Sequence, residues 1–331
     1  MATIADVAQL AKVSKSTVSR VLNSLPVSEM AYRHVTEAMK SLNYQPNAQA
    51  RSLTLRRTNL IGVVGPFVGG VFYGEIISGI LEVMSAAENF VTICSTENTS
   101  HELEIVDRLL REKRIDGLII ITPRRVKTDI LRDYKDFPIV VIDGIVDSVH
   151  SITIDNFDGG LVATNHLIGL GHREIAMITG PLDSWECAER MRGYREALSL
   201  SGIQVTDEFI VQGNYDLESG RAGAEYFLTF EHLPTAVFAA NDWMAIGAIE
   251  VFKEKGLRVP EDIAVVGFDD NVLAARVTPK LTTVRQPVNE LGRMGAKRML
   301  DTIAKADMYP STTMLRCSMV IRDSCGSPRH E

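Results

Sequence analysis

The stretch "TIADVAQLAKVSKSTVSRVLN" at residues 3–23 decides the fold of the N-terminal part of the chain. Its apolar residues recur at the spacing of one helix face, at Ile4, Val7, Ala8 and Ala11. Thr3 is placed to cap this helix, and Ser14 is placed to cap a second helix after the interruption "KVS". A third amphipathic helix is predicted from Ser28 to the stop signal "NYQPN". The sequence therefore predicts three short helices around one small core.

The second predicted helix has a polar and basic face. At roughly 100° per residue, Lys15, Ser16, Ser19 and Arg20 lie on that face. Two helices joined by a tight turn, the second presenting such side chains, suit insertion into the major groove of DNA. We expect Lys15, Ser16 and Arg20 to read bases, and Thr17 and Ser19 to hold phosphates. A small helical bundle with a solvated face fits the same pattern.

Charge is unevenly distributed along the chain. The 331 residues have a net charge of −7, yet residues 1–58 hold 8 Lys and Arg against 3 Asp and Glu, and the remainder holds 27 against 39. A basic head on an acidic body is typical of nucleic-acid-binding proteins, although a solvated basic face gives the same asymmetry. The length, with 45% hydrophobic residues, predicts more than one domain.

Several other classes of protein are disfavoured. No apolar run approaches the roughly 20 residues of a membrane span, and the first residues lack a secretory signal, so we expect a cytoplasmic, nucleoid-associated protein without membrane contact. Walker A, HExxH and nucleophile-elbow motifs are missing, so we expect neither an enzyme nor a cofactor. The four cysteines show no metal-ligand spacing and are expected to be reduced thiols without a metal: Cys94, Cys187, Cys317 and Cys325.

The stretch at residues 3–23, together with "LNYQPNAQARSL" at 42–53, resembles the LacI/GalR family of bacterial transcription regulators, and the resemblance continues to about residue 323. It adds Thr3 and Asn23 to the expected DNA contacts. Lys12 stands where the family often has Gly, so a left-handed non-Gly residue is expected at the turn. The implied domains are a helix-turn-helix domain at 1–45, a hinge helix at 46–58, and an effector-binding and dimerisation domain at 59–331.

The segment after residue 45 is too polar to form a core of its own. By resemblance it is the hinge helix, two of which lie in the minor groove beneath a dimer. Asn47 and Ala50 would then contact DNA, and Leu53 would insert into the central base step. Without the resemblance, an isolated leucine in a linker is more often a packing contact.

From Leu60 onward the sequence predicts a doubly wound α/β body. Near-continuous apolar runs, typical of parallel strands buried on both faces, alternate with helical stretches: "LIGVVG", "FVTICS", "GLIIIT", "PIVVID", "IAMITG", "TAVFAAN" and "IAVVGFD". The resemblance implies a two-lobed, periplasmic-binding-protein-like arrangement with the following lobes: residues 59–157 plus 288–323, and residues 158–287.

Polar and aromatic residues follow the predicted strands, where open α/β sheets bind ligands. Arg, Asp and Asn can pair with ring hydroxyls, and aromatic rings can stack on the apolar face of a sugar. The residues expected to hold an effector, several of them matching family positions, are Phe72, Tyr73, Asp143, Trp185, Arg190, Tyr215, Asn241 and Asp269.

The expected effector is a sugar or sugar derivative. The resemblance to a purine-responsive branch would imply more Arg and Thr character where this chain has "SWE" at 184–186. A nucleobase-responsive or corepressor-dependent regulator is the alternative, and a cytoplasmic sugar-binding protein is a further one.

Because one head reads only a few base pairs, we expect a homodimer on near-palindromic operator DNA. The segment "SCGSPRHE" has no leucine heptads, so a tetramer is not expected. The predicted function is a repressor of carbohydrate utilisation genes whose affinity for the operator a small molecule controls.

Overall fold

In its computed structural model the chain divides into two units, Met1–Asn59 and Leu60–Glu331. The structure describes residues 2–23, 25–45, 57–65, 70–95, 99–112, 114–122, 131, 134, 136–306 and 309–326. No helix within these ranges is long and apolar enough to cross a membrane.

Three helices form the first unit, as the apolar spacing predicts: α1 (Ile4–Ala11), α2 (Lys15–Leu22) and α3 (Glu29–Ser41). Val7, Val18 and Val35, one from each helix, are fully buried in one core. Burial of one such side chain contributes about 1.5–3 kcal/mol, so each of the three is important in so small a core.

The predicted caps and turn of the first unit are confirmed. Thr3 forms a capping box with Asp6, whose Oδ2 accepts a hydrogen bond of 2.8 Å from the Thr3 amide. Ser14 Oγ accepts a hydrogen bond of 3.1 Å from the Thr17 amide at the start of α2. Lys12 ends α1 in the left-handed conformation, with φ of 51°. The tight turn between α1 and α2 therefore forms without glycine.

The second unit has two six-stranded sheets flanked by helices, which confirms the predicted α/β class. Its strands are β1 (Leu60–Gly65), β2 (Phe90–Ser95), β3 (Gly117–Ile121), β4 (Ile139–Ile142), β5 (His150–Ile154), β6 (Ile175–Thr179), β7 (Ile210–Gln212), β8 (Ala236–Ala239), β9 (Ala264–Asp269), β10 (Thr282–Arg285), β11 (Thr312–Leu315) and β12 (Ser318–Val320). Its helices are α4 (Val71–Ala86), α5 (Thr99–Glu112), α6 (Asn156–Gly169), α7 (Trp185–Leu200), α8 (Leu217–Phe227), α9 (Asp242–Glu254) and α10 (Val288–Ile303).

Each sheet forms the centre of one lobe. The first sheet has the order β11-β5-β4-β3-β1-β2 and the second has the order β12-β10-β9-β8-β6-β7. All neighbouring strands are parallel except β12, which runs antiparallel to β10. The first lobe is the first sheet with α4, α5 and α10, and the second lobe is the second sheet with α6 to α9.

The described chain crosses between the lobes after β5, after β10 and after β11. The expected assignment of residues 288–323 to the first lobe is therefore wrong at its C-terminal end. Residues from Ser318 onward belong to the second lobe, where β12 covers the open edge of β10. The Val265 amide also donates a hydrogen bond of 2.8 Å to the main-chain oxygen of Ser324.

Helix pairs approach each other closely at glycines. A Cβ atom at Gly79 of α4 would overlap the main-chain oxygen of Asn289 in α10. Likewise, a Cβ atom at Gly160 of α6 would overlap the main-chain oxygen of Arg190 in α7. The absence of a side chain at Gly160 thus lets α7 pack closely against α6 at the position of Arg190.

Candidate DNA-binding surface and effector cavity

The first turn of α2 is an accessible polar surface on the first unit. Lys15 and Ser16 are exposed and Thr17 is half-buried, whereas Val18 is fully buried on the opposite side of the helix. The apolar face thus anchors α2 in the core, and the side chains expected to touch DNA remain open.

Arg20 is already engaged within the first unit. Its Nε and Nη2 atoms donate hydrogen bonds of 3.1 and 2.8 Å to the main-chain oxygen of Pro26. The Asn23 side chain donates a hydrogen bond of 2.8 Å to the main-chain oxygen of Ser19. Arg20 therefore holds the segment after α2, and it would have to exchange this bond to read a base.

The predicted hinge contacts Asn47, Ala50 and Leu53 lie outside the described residues. Their assignment to the minor groove stays a prediction.

A cavity of about 240 Å³ lies between the two lobes of the second unit. The first lobe contributes residues from α4, from the ends of β3 and β4, and from the start of α10. The second lobe contributes residues from α7 and from the segments that follow its strands. The lining residues are Gly70, Val71, Phe72, Tyr73, Glu75, Thr122, Asp143, Glu186, Arg190, Tyr215, Asn241, Trp243, Asp269, Asp270, Asn271 and Val288.

Arg190 is the buried cation of the cavity, with 4% of its surface exposed. Its Nε donates a hydrogen bond of 2.8 Å to Oδ1 of Asn156, and its Nη1 donates one of 2.6 Å to the main-chain oxygen of Ala240. The guanidinium carbon lies 3.8 Å from the ring centre of Phe268. These contacts fix the guanidinium as a planar donor at the cavity wall.

Three carboxyl groups surround this cation. Burial raises the pKa of Asp143, and the charge of Arg190 opposes that increase. Burial also raises the pKa of Glu186, and the negative charge of Asp143 raises it further. Burial raises the pKa of Asp269 to about 7, against the opposing effect of Arg190. Burial therefore disfavours the charged form of all three acids, and the charge of Arg190 opposes that effect.

Hydrogen bonds position two of these acids. Thr122 Oγ1 donates a hydrogen bond of 2.9 Å to Oδ2 of Asp143, and Gln286 Nε2 donates one of 2.6 Å to Oδ1 of Asp269. Oδ1 of Asp143 is buried and has no hydrogen-bond partner among the described residues. A ligand in the cavity can supply the missing donor.

Asn241 has a structural role beside its predicted one. Its Oδ1 accepts a hydrogen bond of 2.9 Å from the Met244 amide and so caps α9. Its Nδ2 donates one of 3.0 Å to the main-chain oxygen of Tyr215. Asn241 therefore uses its side-chain oxygen to cap α9 and its side-chain nitrogen to hold Tyr215 at the cavity.

Residues with positive φ angles are concentrated at the cavity. Such angles are uncommon for residues other than Gly, and each costs on the order of 1–3 kcal/mol. The lining residues in this conformation are Thr122 (46°), Asp143 (57°), Tyr215 (61°), Asp269 (118°) and Asp270 (60°). The surrounding fold thus holds the side chains of the cavity wall in place at a cost in stability.

Aromatic rings form part of the wall. Phe72 and Tyr73 are in edge-to-face contact, with ring centres 5.3 Å apart. Trp185, which was expected to stack on the ligand, does not line the cavity, and Trp243 does. Trp185 is the first residue of α7, whereas Trp243 lies in the first turn of α9 beside Asn241.

The structure therefore brings together seven of the eight predicted effector residues, all except Trp185. Among the lining residues that the sequence did not predict, Glu186 is a buried acid. A signal for it was present, because Glu186 lies four positions before Arg190 and so shares its helix face.

Comparisons with known proteins agree with both units. Residues 3–47 match the profile of bacterial regulatory proteins of the lacI family, and residues 164–325 match that of a periplasmic binding protein-like domain. The HTH-type transcriptional repressor PurR of Vibrio atlanticus (strain LGP32) is 37% identical over 93% of both chains. The chain belongs to the LacI family. A second PurR, from Vibrio cholerae serotype O1 (strain M66-2), is 36% identical over 98% of both chains.

Solved structures of LacI-family proteins have the same fold. A lac repressor dimer bound to operator and the anti-inducer ONPF has a TM-score of 0.88 and 31% identity, covering 98% of this chain and 99% of that one. A complex of the transcriptional regulator CelR with cellobiose has a TM-score of 0.75 and 32% identity, covering 98% of this chain and 100% of that one. The chain is a DNA-binding transcriptional repressor of this family, and its relatives are regulators rather than enzymes.

Proposed function

We propose that this LacI-family repressor binds near-palindromic operator DNA as a homodimer, in the cytoplasm, and that a nucleobase bound between its lobes controls its affinity for the operator. The observation that carries the proposal is the cavity, in which buried carboxyl groups from both lobes face aromatic rings. A nucleobase has a flat face for stacking and ring N–H groups for carboxylates. Its fit depends on both lobes, so binding it changes the free energy of their closure.

The choice of a nucleobase reverses the order of the two effector classes expected from the sequence. Relatives named PurR cover nearly the whole chain, and they favour the purine-responsive alternative over a carbohydrate. The sequence at 184–186 still differs from what the purine-responsive branch would imply. We therefore expect the purine to be held by other contacts, among which Glu186 is the principal candidate.

A sugar is the second candidate, and one observation favours it. The CelR complex contains cellobiose and covers 98% of this chain. Arg190, Asp143 and Asp269 could pair with ring hydroxyls as readily as with ring nitrogens.

On the DNA side, we propose that Lys15, Ser16 and Thr17 contact the operator and that Leu53 opens its central step. Because linkage is reciprocal, a ligand that prefers the DNA-bound form strengthens repression, and one that prefers the free form weakens it. We favour weakening, and a titration of operator with and without ligand measures the sign.

The test is a thermal-unfolding screen of the purified full-length protein with purine bases, simple sugars and sugar phosphates. A ligand bound only by the native state raises the midpoint temperature of unfolding. At a ligand concentration one hundred times its Kd, the added free energy of unfolding is about 2.7 kcal/mol. We expect a purine base to raise it and to alter the affinity for the operator. If only a sugar raises the midpoint, the effector is a sugar and the nucleobase proposal is wrong.

A further inference from the structure

The cleft has an excess of acid that its fold does not neutralise. Arg190 is the buried cation among the lining residues, and none of the described carboxylate oxygens lies within the 4.0 Å of an ion pair with it. Two of its donors are instead used on Asn156 and on the main chain at Ala240. Asp270, by contrast, is neutralised by Arg285 and Arg322.

Two of the acids line the cleft from opposite lobes. Asp143 follows β4 in the first lobe, and Glu186 lies in the first turn of α7 in the second lobe. Both are buried, with 4% and 9% of their surfaces exposed, and both line the cavity. Burial raises the pKa of Glu186, and the charge of Asp143 on the other lobe raises it further.

We propose that Glu186, acting with Asp143, selects effectors that present a donor-only nitrogen group, such as the amidine edge of a purine or an amine. This inference rests on the proposed function, since it assigns the chemistry of the same cavity. Oδ1 of Asp143 is a buried acceptor without a partner among the described residues. Adjacent N–H groups on one ligand can donate to Asp143 and to Glu186 at once, and so join the lobes.

The same arrangement excludes negatively charged ligands. A carboxylate or phosphate beside Asp143, Glu186 and Asp269 would add like charge to each of these acids that is ionised. A ligand that presents a carbonyl oxygen to ionised Glu186 would place two acceptors together. Glu186 is therefore the specificity-determining residue, and Arg190 is left to bind an acceptor elsewhere on the ligand.

Two matched ligand series test this inference and separate the two sources of such nitrogen groups. Guanine, hypoxanthine and xanthine carry an amino group, a hydrogen and an oxygen at the same ring position. 6-Amino-6-deoxyglucose, glucose and glucuronate carry an amine, a hydroxyl and a carboxylate at the same terminal carbon. Affinities are measured by calorimetry on the full-length protein. In whichever series binds, we expect the amino member to bind at least tenfold more tightly than the oxo or carboxylate member.

Variants assign the effect to one side chain. Glu186→Gln keeps the size but gives the site an amide, so we expect the amino member to lose at least tenfold in affinity and the ranking to flatten. Glu189→Gln on the same helix removes a carboxylate that pairs with Arg192, and we expect wild-type ranking. Unchanged ranking in Glu186→Gln, or equal binding of an anionic member by the wild type, would overturn this inference while leaving the proposed function intact. Binding of no member of either series would overturn both.

Discussion

The side-chain amide of Gln286 donates a hydrogen bond of 2.6 Å to Oδ1 of Asp269, which joins the segment that crosses between the lobes to the wall of the effector cavity. Gln286 lies directly after β10 and two residues before α10 of the first lobe. A ligand that competes for Asp269 therefore acts directly on the connection between the lobes.

Removal of this bond is predicted to uncouple the cavity from DNA. In Gln286→Ala we expect the ratio of operator affinities with and without effector to approach 1, which is a loss of the whole coupling free energy of about 1–3 kcal/mol. Titration of operator by fluorescence anisotropy measures the ratio. Gln204→Ala, at an exposed position after α7, should keep the wild-type ratio. A wild-type ratio in Gln286→Ala would show that the bond between Gln286 and Asp269 does not couple effector binding to operator affinity.

Arg190 is predicted to be important for stability as well as for binding. Arg190→Ala leaves acceptors at Asn156 and Ala240 unpaired and removes the cation from a group of buried acids. Leaving a buried acceptor unpaired costs about 1–3 kcal/mol for each of the two, which urea unfolding measures. Arg195→Ala removes an exposed ion pair with Asp207 from the same helix and should cost at most about 1 kcal/mol. Equal effects of the two variants would contradict this assignment.

The packing of α4 against α10 predicts opposite effects of the same substitution at two positions of α4. Gly79→Ala places a methyl group on the main-chain oxygen of Asn289 and should destabilise the second unit by about 1–3 kcal/mol. Gly74→Ala adds a methyl group in open space and should stabilise α4 by about 0.5–1 kcal/mol. Chemical unfolding midpoints give both signs, and a destabilising Gly74→Ala would refute the packing argument.

The elevated pKa of Asp269 predicts that stability falls as pH rises. The folded protein retains a proton up to a pKa of about 7, whereas the unfolded chain releases it near 3.8. The contribution of Asp269 is therefore fully present below about pH 4 and is lost as pH rises toward 7 and beyond. Between these two pH values, Asp269 lowers the free energy of unfolding by at most about 1.4 kcal/mol per pH unit.

Asp269→Asn should decline less steeply than the wild type in urea unfolding between pH 4 and 7. Asp143 and Glu186 also have raised pKa values, so part of the decline should remain in the variant. A steeper decline in the variant would mean that Asp269 is ionised in the folded protein throughout this range.

Lys15 is predicted to contact the operator from the exposed first turn of α2. Lys15→Ala should weaken specific binding by about 1–3 kcal/mol if the side chain reads a base. Lys255→Ala removes the same charge from the second unit, where the side chain is exposed after α9. We expect wild-type operator affinity for that control, and equal losses would point to net charge rather than a contact.

Much of the fold follows from local sequence signals. Helical spacing of apolar residues and short polar caps such as Thr3 and Ser14 define the first unit without reference to distant contacts. The long apolar runs likewise predict buried parallel strands. The strands that these signals missed are β5, β10, β11 and β12, in which threonine and serine replace aliphatic residues.

These polar strand residues are stable in the interior only because of distant partners. Thr283 Oγ1 donates a hydrogen bond of 2.5 Å to Oδ1 of Asp242, and Thr282 Oγ1 donates one of 3.1 Å to Sγ of Cys325. No property of the local sequence reveals such pairs. The place of the C-terminal strand was mispredicted for the same reason, since β12 is fixed by its long-range pairing with β10.

The candidate site was predictable in its residue types and less so in its geometry. Polar residues after strands pointed to Asp143, Asn241 and Asp269, and all three line the cavity. The choice between Trp185 and Trp243 depends on the rotation of α7 and α9 about their axes, which packing sets and periodicity does not. The bond that engages Arg20 with Pro26 was similarly invisible, because it depends on the path of the chain between α2 and α3.

The most direct test of ligand-controlled operator recognition is selection of genomic fragments by the full-length protein, followed by anisotropy titration of the enriched duplex with and without guanine. We predict one near-palindromic sequence, bound at least a thousandfold more tightly than random DNA, as is usual for specific sites, with an affinity that changes at least tenfold when the base is added. Failure to enrich any sequence, or an operator affinity that no purine or sugar alters, would contradict ligand-controlled operator recognition.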